Sequence, residues 1–108
     1  MSLSDEQVEH VLELFSGVPD ITTRKMFGGL GLYSDGIIFA VLMSDGTIRV
    51  KGAGDMIARY EELGMEKWVY QRPGQKQSSM PYWALPESAL DDPDEASALA
   101  REALTHLA

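Results

Sequence analysis

Two Asp-Gly pairs, at positions 35–36 and 45–46, stand ten residues apart and bracket an apolar run over residues 37–43. An Asp-Gly pair between apolar segments is a strong signal for a tight β-hairpin, because both residues tolerate the positive φ angles that the turn needs. Two such turns in succession predict an antiparallel meander. We place its strands at residues 26–33, 37–43 and 47–51.

The middle strand of this meander, residues 37–43, is apolar on both of its faces. The third strand differs, since it alternates between Ile48 and Val50 on one side and polar residues on the other. A strand that is apolar on both faces is normally covered on both sides. Because a chain of this length offers only one layer of helices, we expect a second copy to supply the other cover. The sequence therefore predicts a homodimer.

Helix signals surround the meander. Ser4 and Gln7 have the spacing of a capping box at the start of a first helix, whose apolar residues recur at helical spacing. Asp92 and Pro93 supply the N-cap and the first position of a last helix. A short helix is predicted between them, over residues 55–63.

Two further strands are predicted after the second helix, at residues 67–71 and 79–85. Pro81 has no amide hydrogen to donate, so we expect its strand to lie at an edge of the sheet. The resulting order is α-βββ-α-ββ-α. Hairpins combined with helices on one face indicate an α+β domain with an antiparallel sheet, and residues 1–108 are expected to form one domain.

The net charge of −8 is unevenly distributed. Residues 1–20 hold five acidic residues and no Lys or Arg, and residues 87–108 hold six against Arg101 alone, whereas residues 21–86 hold eight basic residues against six acidic ones. A negative overall field disfavours approach to a phosphate backbone. The chain has no cysteine, which excludes disulfides, thiolate metal sites and cysteine nucleophiles.

Several separated motifs together resemble the TfoX (Sxy) N-terminal domain family. They are Arg24-Lys25-Met26-Phe27-Gly28-Gly29 with Gly31, Leu32 and Tyr33, the turn at 35–36, Lys51, Met80-Pro81-Tyr82-Trp83 and Leu85-Pro86-Glu87. The resemblance extends over nearly the whole chain. The Met-Phe-Gly-Gly block in combination with the Pro-Tyr-Trp block is more specific than either block alone.

This resemblance implies an α+β sandwich like that of secretion chaperones, which commonly dimerise. It also implies a relation to bacterial regulators of competence genes. Full regulators of this kind carry a second, helical C-terminal domain, which we expect this chain to lack. Residues 52–54 (Gly-Ala-Gly) depart from the more acidic connection expected in the family.

From these observations we expect a cytoplasmic, non-enzymatic interaction domain that acts in transcriptional regulation through contacts with an unidentified protein. The predicted contact or intersubunit residues are Arg24, Lys25, Phe27, Gly28, Gly29, Gly31, Tyr82 and Trp83. Catalytic, cofactor-binding and metal-binding residues are not predicted. The serines have no histidine positioned by the sequence, and the glycines favour a bent or bulged strand because no helix follows them as a phosphate loop requires.

Two alternatives remain open. The segment 67–83 interleaves aromatic residues with Lys67, Arg72 and Lys76, a composition typical of surfaces that stack single-stranded nucleic acid. The second alternative is a small-molecule-binding or enzymatic domain, for which the sequence offers no paired carboxylates in an apolar setting.

Overall fold

The fold is a six-stranded sheet with helices packed on one of its faces. The computed structural model describes residues 4–26, 29–70, 74 and 78–107. Its elements are α1 (Asp5–Leu14), β1 (Ile21–Met26), β2 (Gly29–Ser34), β3 (Ile37–Leu42), β4 (Ile48–Lys51), α2 (Met56–Glu62), β5 (Lys67–Tyr70), β6 (Ser78–Ala84), a 3-10 turn (Glu87–Ala89) and α3 (Pro93–Leu107). The strands are antiparallel and lie in the order β1-β2-β3-β4-β6-β5. The predicted α+β class and antiparallel sheet are confirmed.

The meander contains four strands rather than the predicted three. β1 pairs with β2 over its whole length, from Ile21 opposite Ser34 to Met26 opposite Gly29. Its central residues are exposed, because β1 is an edge strand that receives a neighbour on one side only. β1 therefore lacks the alternation of apolar and polar residues that marks a half-buried strand. For this reason β1 was not predicted, and the first predicted strand began only at Met26.

Pro81 lies in β6, which is an internal strand, so the prediction that its strand forms an edge is wrong. The proline stands one residue beyond the last β4–β6 pair, Lys51 opposite Tyr82, and its carbonyl accepts the Gly52 N–H at 3.1 Å. On its other side, β5 shifts register between Lys67 and Val69. A missing amide hydrogen is tolerated at a ladder end or at an irregularity.

The helix starts follow the predicted capping chemistry. The Gln7 N–H donates to Ser4 Oγ at 3.1 Å, and the Ser4 N–H donates to Gln7 Oε1 at 2.9 Å, which completes the capping box of α1. At the start of α3, Asp92 Oδ1 accepts from the N–H groups of Asp94 and Glu95 at 3.1 and 3.3 Å. None of the helices in the described ranges is both long and apolar enough to cross a lipid bilayer.

The main core lies between the helices and one face of the sheet. Alanines of α3 are fully buried there, since their small side chains let the helix lie close to the strands (Ala96, Ala100 and Ala103). Phe15 meets Phe39 of β3 edge to face, with ring centres 5.3 Å apart. Helices α1 and α3 are tied together by Ser97, whose Oγ donates to the Leu14 carbonyl at 3.0 Å and accepts the Gly17 N–H at 3.1 Å.

Candidate partner-binding face

The sheet face that points away from the helices carries four of the eight predicted contact residues, Arg24, Gly29, Gly31 and Tyr82, and we call it the open face. Directly opposed residues in an antiparallel pair point to the same side. Gly31 is opposite Arg24 on one neighbouring strand and Val41 on the other, and Val41 is opposite Arg49. The open face is completed by Met26, Tyr33, Ile38, Trp68, Met80 and Tyr82.

Two glycines of β2 allow close packing. A β-carbon at Gly31 would lie 2.5 Å from Met26 Sδ and 3.3 Å from Tyr33 Cε1, so the bare backbone at this position makes room for the methionine side chain. At Gly29 a β-carbon would collide with the Leu42 carbonyl oxygen. The register between β2 and β3 also shifts between Leu32 and Tyr33. The glycines thus allow close packing around β2, whereas the extra residue of the bulge is Phe39 of β3 and not a residue of the glycine motif, where the bulge was predicted.

Arginine side chains lie against aromatic rings on the open face. The guanidinium carbon of Arg49 is 5.1 Å from the centre of the Trp68 ring, and that of Arg24 is 5.9 Å from the centre of the Tyr33 ring. Trp68 in turn meets Tyr82 edge on, with ring centres 6.2 Å apart. Burial, and to a smaller extent the nearby Tyr33, raises the pKa of the Tyr82 hydroxyl above its ordinary value, so this group stays neutral at physiological pH.

A small apolar cavity of about 30 Å³ opens between these side chains. Its lining consists of Met26, Leu30, Val41, Leu42, Met43, Trp68, Met80 and Tyr82. Three of these residues are methionines, whose flexible and polarizable side chains adapt to the shape of what they contact. The cavity is therefore an apolar recess that can change its shape.

The open face of β3 is covered by side chains of the same chain. Val41 is only 4% exposed and Tyr82 7%, although neither belongs to the core beneath the helices. The cover comes from residues of the flanking strands, among them Met26 and Trp68, which line the same cavity as Val41. Both apolar faces of β3 are thus covered by residues of the same chain. The homodimer stays a prediction, and it no longer follows from the burial of β3.

Charge is segregated between the two layers of the molecule. The six described strands carry five basic residues and no Asp or Glu (Arg24, Lys25, Arg49, Lys51 and Lys67). All 17 acidic residues lie in the helices, turns and connections outside those strands. On the helical side, Arg59 donates from Nε to Glu102 at 3.2 Å, and Arg101 donates to the Gly17 carbonyl at 2.9 Å. Three of the five basic strand residues, Arg24, Arg49 and Lys51, point to the open face, whereas Lys25 is opposite Leu30 and Lys67 lies over the Trp83 ring, both on the helical side. The open face therefore carries three basic residues, and the helical layer is rich in acidic ones.

The predicted contact residues fall into different environments. Arg24 and Lys25 are exposed on β1, Gly29 and Gly31 are buried in β2, and Tyr82 lies on the open face. Phe27 and Gly28 lie outside the described residues.

Trp83 points the other way from Tyr82 and belongs to the core. It is 2% exposed, and its ring centre lies 5.3 Å from that of Tyr60. The Tyr60 hydroxyl donates to the Lys51 carbonyl at 2.8 Å. Its burial places Trp83 among the residues that hold the sheet to the helices, so we do not count it in the contact surface.

Sequence reasoning missed two residues that shape the open face, Met26 and Arg49. The alternation of β4 correctly predicted that Arg49 points away from Val50 and the core, but Arg49 was not named as a contact residue. Met26 reaches the open face because β1 pairs with β2. That pairing was not predicted, because the exposed residues of β1 lack the alternation that marks a strand. Met80, which lines the cavity from beside Pro81, was also not named as a contact residue, and no alternation of apolar and polar residues marks its position.

The fold and this face define an α+β domain with one antiparallel sheet, a helical layer on one side and a basic, partly apolar face on the other. The family model for the TfoX N-terminal domain matches residues 13–107, and the chain belongs to that family. The chain is also similar to the DNA transformation protein TfoX1 of Aliivibrio fischeri (strain ATCC 700601 / ES114), with 45% identity over 47 residues. That alignment covers 44% of this chain and 22% of the length of the relative.

Proposed function

We propose that this chain is a regulatory domain that acts through protein contacts, without catalysing a reaction, in the control of DNA transformation and of the transcription on which it depends. Two findings support a role in DNA transformation: membership of the TfoX N-terminal domain family and similarity to a DNA transformation protein. One observation carries the mode of action: three basic residues of the strands, Arg24, Arg49 and Lys51, share one face with a methionine-lined apolar recess, opposite a helical layer rich in acidic residues.

The open face has the composition of a protein-contact surface. Interfaces are enriched in aromatic residues, methionine and arginine, and depleted in acidic residues. Met26, Tyr33, Trp68 and Met80 are partly exposed and lie beside Arg24 and Arg49, whereas the helices present acidic residues. A solvated face without a binding role has no need for such a concentration of apolar side chains.

A transformation assay tests this proposal. In the organism that carries the gene, the chromosomal copy is replaced by variants, and transformation frequency and the transcripts of DNA-uptake genes are measured. Arg49→Ala on the open face should lower both at least tenfold. Arg59→Ala is the matched control, since it removes an arginine from the helical side and breaks only an exposed ion pair with Glu102. Equal results for the two variants, with both proteins present at wild-type levels, would contradict the proposal.

We also propose the homodimer, with the edge of β1 as its contact. β1 is six residues long and hydrogen-bonded to β2 on one side, which leaves its other side available for pairing. Antiparallel pairing of two copies with Thr23 opposite Thr23 would place Arg24 opposite Thr22 and Lys25 opposite Ile21 of the second copy, so like charges would not be directly opposed. Light scattering at high protein concentration tests this, with Thr23→Pro as the variant expected to be monomeric. A wild-type mass of 11.9 kDa would exclude the dimer.

A further inference from the structure

We infer that the open face binds an acidic segment of another protein, which inserts an apolar side chain into the recess beside Met26 and places an oxygen atom on Arg49. This inference rests on the proposed function and names the chemistry of its partner.

The charge of the partner follows from the segregation of charge in the molecule. Arg24, Arg49 and Lys51 point to the open face, to which the described strands add no acidic side chain. The nearby acidic residues belong to the ends of connections: Asp45, on which Arg49 acts electrostatically, and Glu66, which lines a cavity with Arg49. A segment that carries Asp or Glu would find complementary charge on β1, from Arg24, and on β4, from Arg49 and Lys51. A basic segment would meet like charges there.

The apolar part of the partner follows from the recess. Its cavity of about 30 Å³ is large enough for about a methyl group, but Met26 and Met80 are partly exposed and can move aside to admit a larger side chain. Buried apolar anchors that fill pockets supply most of the energy of protein contacts. An acidic segment without an apolar residue would leave this part of the face uncovered.

Arg49 offers a hydrogen bond that the described residues do not use. Its Nε atom is buried, and no acceptor lies within hydrogen-bonding distance of it among those residues. The guanidinium carbon of Arg49 lies 5.1 Å from the centre of the Trp68 ring, so the group sits beside the apolar recess that Trp68 lines. A carboxylate oxygen of a bound segment would reach this donor once the side chains that bury it move aside, and arginine matches a carboxylate through two parallel bonds.

A second copy of the chain fits this face poorly. Two open faces in contact would bring the basic residues of both copies to one interface, to which the described strands contribute no acidic residue. The open face of one copy could instead pack on the acidic helical layer of a second copy. Because these two surfaces lie on opposite sides of the molecule, the open face of the second copy would then remain free to bind a third. Such head-to-tail contacts do not close and lead to filaments.

Nucleic acid also fits less well than a peptide. Sequence-tolerant binding of single strands depends on aromatic rings on which bases can stack. The Tyr33 and Trp68 rings already have arginine side chains against them, and Tyr82 is 7% exposed. The net charge of −8 opposes a polyphosphate more strongly than a short segment with a few carboxylates.

A displayed library of random 16-residue peptides, selected on the full chain, tests the inference. The selected peptides should combine Asp or Glu with a large apolar residue. Their affinity for the Arg49→Gln and Arg24→Gln variants should fall at least tenfold, and that for Arg59→Gln, the control, should stay within twofold. Arg49→Lys, which keeps the charge but lacks Nε, should also bind at least threefold more weakly. Circular dichroism shows whether each variant is folded, and Arg24, which is exposed, provides the test if Arg49 variants unfold.

Three outcomes would overturn the inference: selected peptides without acidic residues, binding unchanged in the open-face variants, or a selection that yields no binder. A fourth outcome that would overturn the inference comes from fluorescence polarisation with a 30-nucleotide single-stranded DNA and a 30-base-pair DNA duplex. Binding of either one at moderate salt that is lost in Arg49→Gln would assign the face to nucleic acid. If Arg49→Ala abolishes transformation while acidic peptides do not bind, this inference fails and the proposed regulatory function stands.

Discussion

Met26 lies across Gly31, and its Sδ atom is 2.5 Å from the place that a β-carbon would occupy on that glycine. A methyl group at Gly31 would therefore push against the end of a flexible side chain. At Gly29, by contrast, a methyl group would collide with the carbonyl oxygen of Leu42, which belongs to the backbone of β3. Gly31→Ala should lower the free energy of unfolding by less than about 1 kcal/mol, and Gly29→Ala by about 1–3 kcal/mol, the usual range for overpacking.

Urea denaturation of the two variants measures this difference. A double-mutant cycle with Met26→Ala provides the control: in that background Gly31→Ala should cost less than in the wild type, because the clashing sulfur has been removed. Equal losses for Gly29→Ala and Gly31→Ala would show that the backbone of β3 yields as easily as a methionine side chain.

Local signals predicted the elements that short-range chemistry determines. The two Asp-Gly turns and the caps of α1 and α3 depend on residues within a few positions of each other, and all were placed correctly. Errors arose where an outcome depends on distant pairing. β1 was missed since its side chains are exposed at an edge. Pro81 was assigned to an edge because the register shift in β5 that accommodates it cannot be seen in the sequence.

The candidate site was predicted in part for the same reason. Arg24 and Tyr82 lie on the open face, as alternation along a strand allows. Trp83, their predicted companion, belongs to the core. Adjacent residues of a strand point to opposite faces, so Tyr82 and Trp83 could not both be exposed on one side, and only the packing of α2 against β6 shows which of the two faces the helices.

Trp83→Ala should remove much of the stability of the domain. The side chain is 2% exposed and packs against Tyr60, and the loss of a buried tryptophan costs about 3–5 kcal/mol. Trp68→Ala should cost less, about 1–2 kcal/mol, since that ring is only partly buried on the open face. Thermal unfolding followed by circular dichroism distinguishes the two. A stable Trp83→Ala protein would show that its ring is not part of the core.

Ser97→Ala should destabilise the contact between α1 and α3. The Ser97 hydroxyl is buried, donates to the Leu14 carbonyl and accepts from the Gly17 N–H, so its removal leaves two backbone groups without these partners. The expected loss is about 1–3 kcal/mol. Ser88→Ala is the matched control, because the Ser88 hydroxyl is exposed and bonds only to Glu95 at 3.0 Å. Similar unfolding midpoints in urea for both variants would contradict the role of Ser97.

Tyr60 gives the domain an alkaline limit. Burial, with a smaller contribution from Glu102, raises the pKa of its hydroxyl far above the ordinary value, and the hydroxyl donates to the Lys51 carbonyl at 2.8 Å. The unfolded chain releases this proton above about pH 10, whereas the folded chain keeps it. The stabilisation is therefore complete below about pH 10, and it decreases by about 1.4 kcal/mol for each further pH unit until the folded state also ionises.

Comparison with Tyr60→Phe isolates this effect, because the other tyrosines titrate in both proteins. Below pH 9 the wild type should be more stable by about 1 kcal/mol, the usual value of one buried hydrogen bond. That advantage should decrease above about pH 10 and vanish near about pH 11, where ionisation of Tyr60 in the unfolded wild-type chain offsets the bond. Urea unfolding at a series of pH values measures the difference. Stability curves that stay parallel from neutral to strongly alkaline pH would mean that Tyr60 ionises equally well in the folded domain.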